Sequence, residues 1–344
     1  MSSCLSVAAD DGVRLYVEID APSPATPTTP TSAPSPLAAT PTVVLCHGYT
    51  LDRRCWTHQR RSLSEAGYAV VVWDQRGHGR SQTGPVASYT IDQLGRDLAA
   101  VVERAAPHGP VVLVGHSMGG MAVMSMAGQP GTTVLKRVVA VAFLDSSVGD
   151  MHRVDWGMGS VVGGWINRVG PRLAAGLDPH QRTIQTGLGW FPWLATPVVA
   201  AASFGSRVSR EVARLTAQMM VDTDFTVTSG FAPTLTAHDQ RDAVGALAHL
   251  PALVMVGDRD VLTPPEHSDT LARFLPLATH VVVTRAGHIM MLEHPELVSD
   301  RLLRLCAGLA FPQRWRALNA GVVQRTVDLR PGRGRAALTA GRPT

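Results

Sequence analysis

Short apolar runs recur along the chain, each bounded by Gly, Pro, Asp or His. Between them apolar residues return at every third or fourth position. The runs lie at Thr42–Cys46, Ala69–Trp73, Val111–Val114, Val138–Leu144, Leu250–Val256 and Thr279–Val283. They are apolar nearly throughout and do not alternate, so each predicted strand is buried on both faces. That is the pattern of a mainly parallel sheet with helices on both faces, an α/β architecture. The intervening periodicity predicts helices at Trp56–Ala66, Thr90–Ala105, Met121–Gln129, 265–275 and 294–310. Ligands in such sheets bind at the carboxyl ends of the strands. His47-Gly48-Tyr49, Ser117, Asp260 and His288 all fall there.

Several segments break the alternation. Leu5–Ala9 and Val13–Ile19 flank Asp10-Asp11-Gly12 and predict a hairpin ahead of the sheet. Residues 21–42 hold seven prolines among Ala, Ser and Thr with no charge, which predicts an extended, solvated loop. Residues 148–240 are largely helical in pattern and carry Trp156, Trp165, Trp190 and Trp193 with Met151, Met158, Met219 and Met220. This insertion separates two sheet strands, so it rises from the carboxyl edge as a helical lid that walls a pocket and excludes water. The expected organisation is a core at 1–147 and 241–311, a lid at 148–240 and an Arg-rich tail at 312–344.

Composition narrows the class. Of 344 residues, 45% are apolar and 17% charged, which allows a sizeable core. The net charge of +4 is misleading until it is located: residues 312–344 hold seven arginines and one acid, Asp328, leaving 24 basic and 26 acidic residues elsewhere. The surplus therefore belongs to the tail, expected to be disordered and solvated, and no nucleic-acid partner is implied. No apolar stretch is long enough for a membrane span, and the N-terminus lacks the basic and apolar regions of a signal peptide. Cys4, Cys46, Cys55 and Cys306 have neither metal-type spacing nor framework density, so a cytoplasmic protein with reduced thiols is expected.

The chemistry centres on Gly115-His116-Ser117-Met118-Gly119-Gly120, which follows a strand and precedes a helix. A tight strand-turn-helix lifts the Ser117 hydroxyl into the open, and a Cβ at 115 or 119 would strike the neighbouring elements. The partially positive helix N-terminus favours a developing anion there. A serine hydroxyl is a weak nucleophile at neutral pH and needs a base, and the base needs a third group to fix its tautomer. Asp260 and then His288 follow in chain order, each after a strand.

With these motifs in place the sequence resembles the α/β-hydrolases, specifically the lid-bearing Ser-Asp-His group that includes esterases, monoacylglycerol lipases and cofactor-free haloperoxidases. The matching stretches are His47-Gly48-Tyr49, Asp74-Gln75-Arg76-Gly77-His78-Gly79-Arg80-Ser81, the elbow at Gly115–Gly120, Gly257-Asp258-Arg259-Asp260-Val261-Leu262-Thr263-Pro264, and Gly287-His288. The resemblance implies Ser117 as nucleophile, Asp260 as acid and His288 as base. It implies the backbone N–H groups of Tyr49 and Met118 as oxyanion donors, and no metal or organic cofactor. The family pattern favours Asp260 over Asp258, and over Asp145, which can simply cap its turn. His116 is expected in the pocket wall, His47 and His78 in structural loops, and His267, His280 and His294 at the surface or helix ends.

The expected activity is hydrolysis of a small, apolar or lipid-like ester through an acyl-enzyme. The same triad also serves cofactor-free perhydrolases or haloperoxidases and carbon–carbon bond hydrolases. Epoxide hydrolases and dehalogenases resemble versions of the fold with Asp at the elbow, which Ser117 disfavours. From another class, a ligand-binding relic of the fold would be expected to lose Ser117 or His288, and both are present.

Overall fold

The computed structural model describes residues 2–23, 39–151, 203–309, 323–327 and 339–340. Their strands form one sheet. The first two are β1 (Ser2–Ala8) and β2 (Arg14–Asp20), followed by β3 (Thr42–Cys46), β4 (Val70–Trp73), β5 (Val111–His116) and β6 (Val138–Leu144). After the insertion come β7 (Ala252–Gly257), β8 (Ala278–Val283), β9 (Val323–Val327) and β10 (Thr339–Ala340). Their spatial order is β1-β2-β4-β3-β5-β6-β7-β8-β9-β10. Strands β4 to β9 in that order are mutually parallel, while β1, β2 and β10 are antiparallel to their neighbours.

The apolar runs become strands with every residue of β4, β5 and β7 buried. Helices α1 (Thr57–Glu65), α2 (Ile91–Ala105), α3 (Met118–Gly128), α6 (Pro265–Phe274) and α7 (Pro295–Gly308) cover the two faces. One core contains Leu98, Leu113 and Phe143, and the other, across the sheet, contains Leu45, Val112 and Leu302. The insertion contributes α4 (Arg210–Asp222) and α5 (Phe225–Thr236), each opened by a side-chain cap, from Ser209 and Asp224 respectively. Trp156, Met158, Trp165, Trp190 and Trp193 lie outside the described residues. Among the described residues no helix is long and apolar enough to cross a membrane.

The chain leaves β3 to form β4 on one side, then returns to form β5 on the other. The winding reverses between β3 and β5, and a crevice opens there at the strands' carboxyl ends. The register pairs Cys46 with Gly115, which brings 47–49 beside 116–118.

Most boundaries match the sequence pattern within two residues; β1 begins at Ser2, three residues ahead of the expected Leu5, and three other differences stand out. Helix α3 begins at Met118, not Met121, because Gly119 and Gly120 are small enough to let the helix start against the strands. His280 is buried, not at the surface: it lies within β8 and its Nε2 is 2.9 Å from Ser268 Oγ. The tail is not wholly a solvated chain, since Val323–Val327 pairs in parallel with β8 and buries Val327. An outer strand of a parallel sheet leaves a row of unpaired N–H and C=O groups, and five residues of strand composition satisfy them.

Candidate active site

Ser117 sits between β5 and α3 at φ +50°, ψ −120°, a conformation rare for a residue with a side chain. The surroundings hold it there. Its N–H donates to the Leu144 carbonyl (3.0 Å), and its own carbonyl accepts from Gly120 N, Met121 N and Ser146 Oγ. A Cβ at Gly115 would run into the Gly120 backbone, and one at Gly119 into the Cys46 and His47 carbonyls. Among the described residues the N–H groups of Tyr49 and Met118 have no acceptor. Met118 opens α3, where the helix leaves its first amides unpaired and partially positive.

Asp260 and His288 stand on the loops after β7 and β8, which are sewn together. Asp258 N donates to the Val283 carbonyl (3.0 Å), Arg259 N to the Ala286 carbonyl (2.9 Å), and Arg285 N to Asp258 Oδ1 (2.6 Å). Glu293 Oε2 accepts from Gly287 N at 2.7 Å and braces the second loop. Asp260 Oδ2 then lies 2.8 Å from His288 Nδ1. The carboxylate is fixed by the Leu262 and Thr263 amides on Oδ1 (2.8 and 3.0 Å) and by the Thr263 hydroxyl on Oδ2 (2.7 Å). Burial works to raise this carboxyl, but His288 and the Thr263 donors outweigh it and hold it below the ordinary value. Asp260 is therefore an acceptor facing His288 Nδ1, which leaves Nε2 turned away from the carboxylate.

Asp258, by contrast, is exposed and spent on the Arg285 amide. Asp145 ends β6 with Oδ1 on Gly257 N (3.0 Å). Burial, reinforced by Asp260, pushes its carboxyl well above the usual range, and the residue braces β6 against β7. His116 lies in the wall of the pocket. Burial pushes it down to about 3, so it is neutral, and its Nε2–H donates to the His288 carbonyl at 2.7 Å. His47 and His78 bond within the loops that follow β3 and β4.

Tyr49, Ser117 and His288 line one cavity of about 490 Å³. Ser117 Oγ and His288 Nε2 carry no hydrogen bond among the described residues, so both are open to a ligand. The far wall comes from Met121, Met220, Phe225, Ala232 and Leu235, and no Lys, Arg, Asp or Glu among the described residues lines it. Among the described residues no group of three or more His, Cys, Asp or Glu could hold a metal ion. The arrangement can activate a hydroxyl, take up its proton and receive an anion at two amides. Sequence reasoning did not identify the Thr263 hydroxyl, the His116 contact to the His288 backbone, or the Thr228 carbonyl that accepts from Tyr49 Oη. The first stands in a motif that already signalled the loop, whereas the last joins residues far apart in sequence and had no local signal.

The family profile described as alpha/beta hydrolase fold matches residues 41–295. A putative carbamate hydrolase, RutD, of Variovorax paradoxus is 25% identical over 270 residues, 78% of this chain and 93% of that protein. The bifunctional esterase/perhydrolase DCH of Acinetobacter calcoaceticus is 38% identical over 103 residues, 30% of this chain and 37% of that protein. Several other curated relatives are likewise matched over only 18% to 38% of their own length. Among solved structures, a thermophilic esterase from Thermogutta terrifontis superposes with a TM-score of 0.66 at 25% identity, covering 90% of this chain and 99% of that one.

Proposed function

The chain belongs to the α/β-hydrolase fold family, and from that premise we propose that it is a serine hydrolase acting on an uncharged, apolar ester. Its relatives and structural neighbours make it a hydrolase. The observation that carries it is convergence: Tyr49, Ser117 and His288 line one cavity with an apolar wall, His288 is bonded to Asp260, and among the described residues the amides of Tyr49 and Met118 have no acceptor.

His288 Nε2 takes the Ser117 proton as Oγ attacks the ester carbonyl. The oxyanion is held by the amides of Tyr49 and Met118, where each donor lost costs about 3 kcal/mol. Collapse expels the alcohol, which receives the proton from His288. A water activated by the same imidazole then releases the acid and frees Ser117. Asp260 stabilises the imidazolium in both halves. Within the insertion, α4 and α5 supply the apolar wall of the cavity on the acyl side; the rest of the expected lid, residues 152–202, lies outside the described residues. Hydrogen peroxide in place of water would release a peracid from the same acyl-enzyme. The likeness to an esterase/perhydrolase favours testing it second.

The decisive experiment is labelling with a fluorophosphonate probe, alongside hydrolysis of a p-nitrophenyl ester series. Both are expected in the wild type and absent from a folded Ser117→Ala variant. Equal labelling and hydrolysis in that variant would refute the assignment.

A further inference from the structure

The loop after β3 carries the amide assigned above to the oxyanion hole, and its conformation is not one the backbone adopts freely. Thr50 stands at φ +59° although it has a side chain. The loop is held on its far side by Thr50 N donating to His78 Nε2 (3.2 Å) and Leu51 N donating to the Gly48 carbonyl (3.2 Å). Neither bond reaches the Tyr49 N–H. Tyr49 itself is held at two points: its carbonyl accepts from Thr50 Oγ1 at 2.7 Å within the loop, and its hydroxyl donates to the Thr228 carbonyl on α5 at 2.6 Å, across 179 residues of sequence. Burial pushes this phenol up to about 12, so it stays a protonated donor through any ordinary assay pH.

Two further contacts join the same segments. Arg54 Nη2 lies 3.0 Å from Asp222 Oδ2, and Thr223 Oγ1, bonded to the Met219 carbonyl at 3.1 Å, lies 3.4 Å from the Thr50 carbonyl. Among the described residues, α4, α5 and their junction thus meet the segment after β3 at three points, of which the Tyr49 hydroxyl bond ends on the residue whose amide has no acceptor. Between these points α5 presents Phe225, Thr228, Ser229 and Ala232 to the cavity.

We infer that Tyr49 is a positioning residue: its hydroxyl, anchored on the Thr228 carbonyl, sets its own backbone N–H in the oxyanion hole and couples that hole to the wall that packs against the acyl group. The inference rests on the serine-hydrolase reading. A misplacement of about 1 Å at a reacting centre can cost about 10²-fold, so losing the anchor acts on the transition state while leaving the apolar wall in place.

The test is Tyr49→Phe, which keeps the ring and removes one oxygen. The measurements are kcat and KM on the best ester, inhibition by a matching trifluoromethyl ketone, and the melting temperature. The ketone is bound as an alkoxide adduct of the serine and so reads the oxyanion hole directly. Expected are a fall in kcat of about tenfold, KM within about twofold, ketone affinity falling in step with kcat/KM, and little change in melting. A merely structural role would lower stability and leave ketone affinity per active site unchanged. Wild-type kcat and ketone affinity in Tyr49→Phe, with Ser117-dependent hydrolysis intact, would overturn this inference alone. Absence of Ser117-dependent hydrolysis in the wild type would overturn the underlying reading, and this inference with it.

Discussion

Asp260 and His288 are joined by a 2.8 Å contact in which the carboxylate has no freedom to turn away, because all of its other bonds come from its own loop. Oδ1 is occupied by two amides and Oδ2 is shared between His288 Nδ1 and the Thr263 hydroxyl. An amide in its place would present N–H toward groups that already donate.

Asp260→Asn is therefore expected to lower kcat by about 10³- to 10⁴-fold through the wrong imidazole tautomer. Asp258→Asn is expected to stay near wild type, since Asp258 is exposed and bonded to Arg285 N. Ester turnover of the two variants decides between them. A comparable loss in Asp258→Asn would return the acid role to debate.

Two of the elbow glycines, Gly115 and Gly119, answer to backbone, not to side chains that could move aside. Gly119 faces the carbonyls that end β3, and Gly115 faces the start of α3. Gly119→Ala should then either push α3 away from β3 or distort the Ser117 turn, at a cost of about 1–3 kcal/mol, and remove fluorophosphonate labelling even in the folded fraction. Labelling at the wild-type rate would show that the turn has slack which the packing denies.

Much of this was legible in the sequence because the relevant signals are local. Strands buried on both faces announce themselves as apolar runs, and the elbow combines a strand, glycines and a helix within ten residues of Val111–Gly120. Asp260 and His288 were legible through motifs that end such runs. The burial of His280 was not, because a lone polar residue inside a strand looks the same whether it faces water or Ser268. Strand β9 was obscured by the arginines around it: Val-Gln-Arg-Thr-Val alternates weakly, and only the open edge of β8 gives it a place. The Tyr49–Thr228 bond depends on how the insertion folds back, which no local pattern encodes.

Buried neutral imidazoles make the protein sensitive to acid. Burial pushes His78 and His116 down to about 3 and His238 down to about 4, from an ordinary value of 6.5. Between those limits the unfolded chain takes up protons that the folded chain refuses, so stability falls as pH falls. Each group contributes up to about 1.4 kcal/mol per pH unit below 6.5. Melting temperature is expected to drop steeply from pH 6.5 toward 4, and the slope to flatten in His78→Gln, whatever that variant's absolute stability. An unchanged slope would place the acid sensitivity elsewhere.

The loop after β4 rests on a charge pair taken wholly out of water. Arg76 Nε and Nη2 donate to the two Asp97 oxygens at 2.6 and 2.7 Å, with both side chains fully buried, while Nη1 reaches the partly exposed Asp11 at 2.7 Å. Gln93 Nε2 adds a further donor to Asp97 Oδ1 at 3.1 Å. Such a pair adds little net stability over an apolar replacement, but deleting one member strands the other, at about 3–5 kcal/mol. Asp97→Ala and Arg76→Met should each be destabilised by about that amount, while the double variant should lose clearly less than the sum of the two. Denaturant unfolding of the four proteins measures the coupling, and strict additivity would show that water already reaches the pair. The same loop carries His78, whose Nε2 accepts from Thr50 N in the loop after β3. Loosening Arg76 is therefore expected to lower kcat before the fold is lost, and turnover measured well below the melting transition separates that effect from global unfolding.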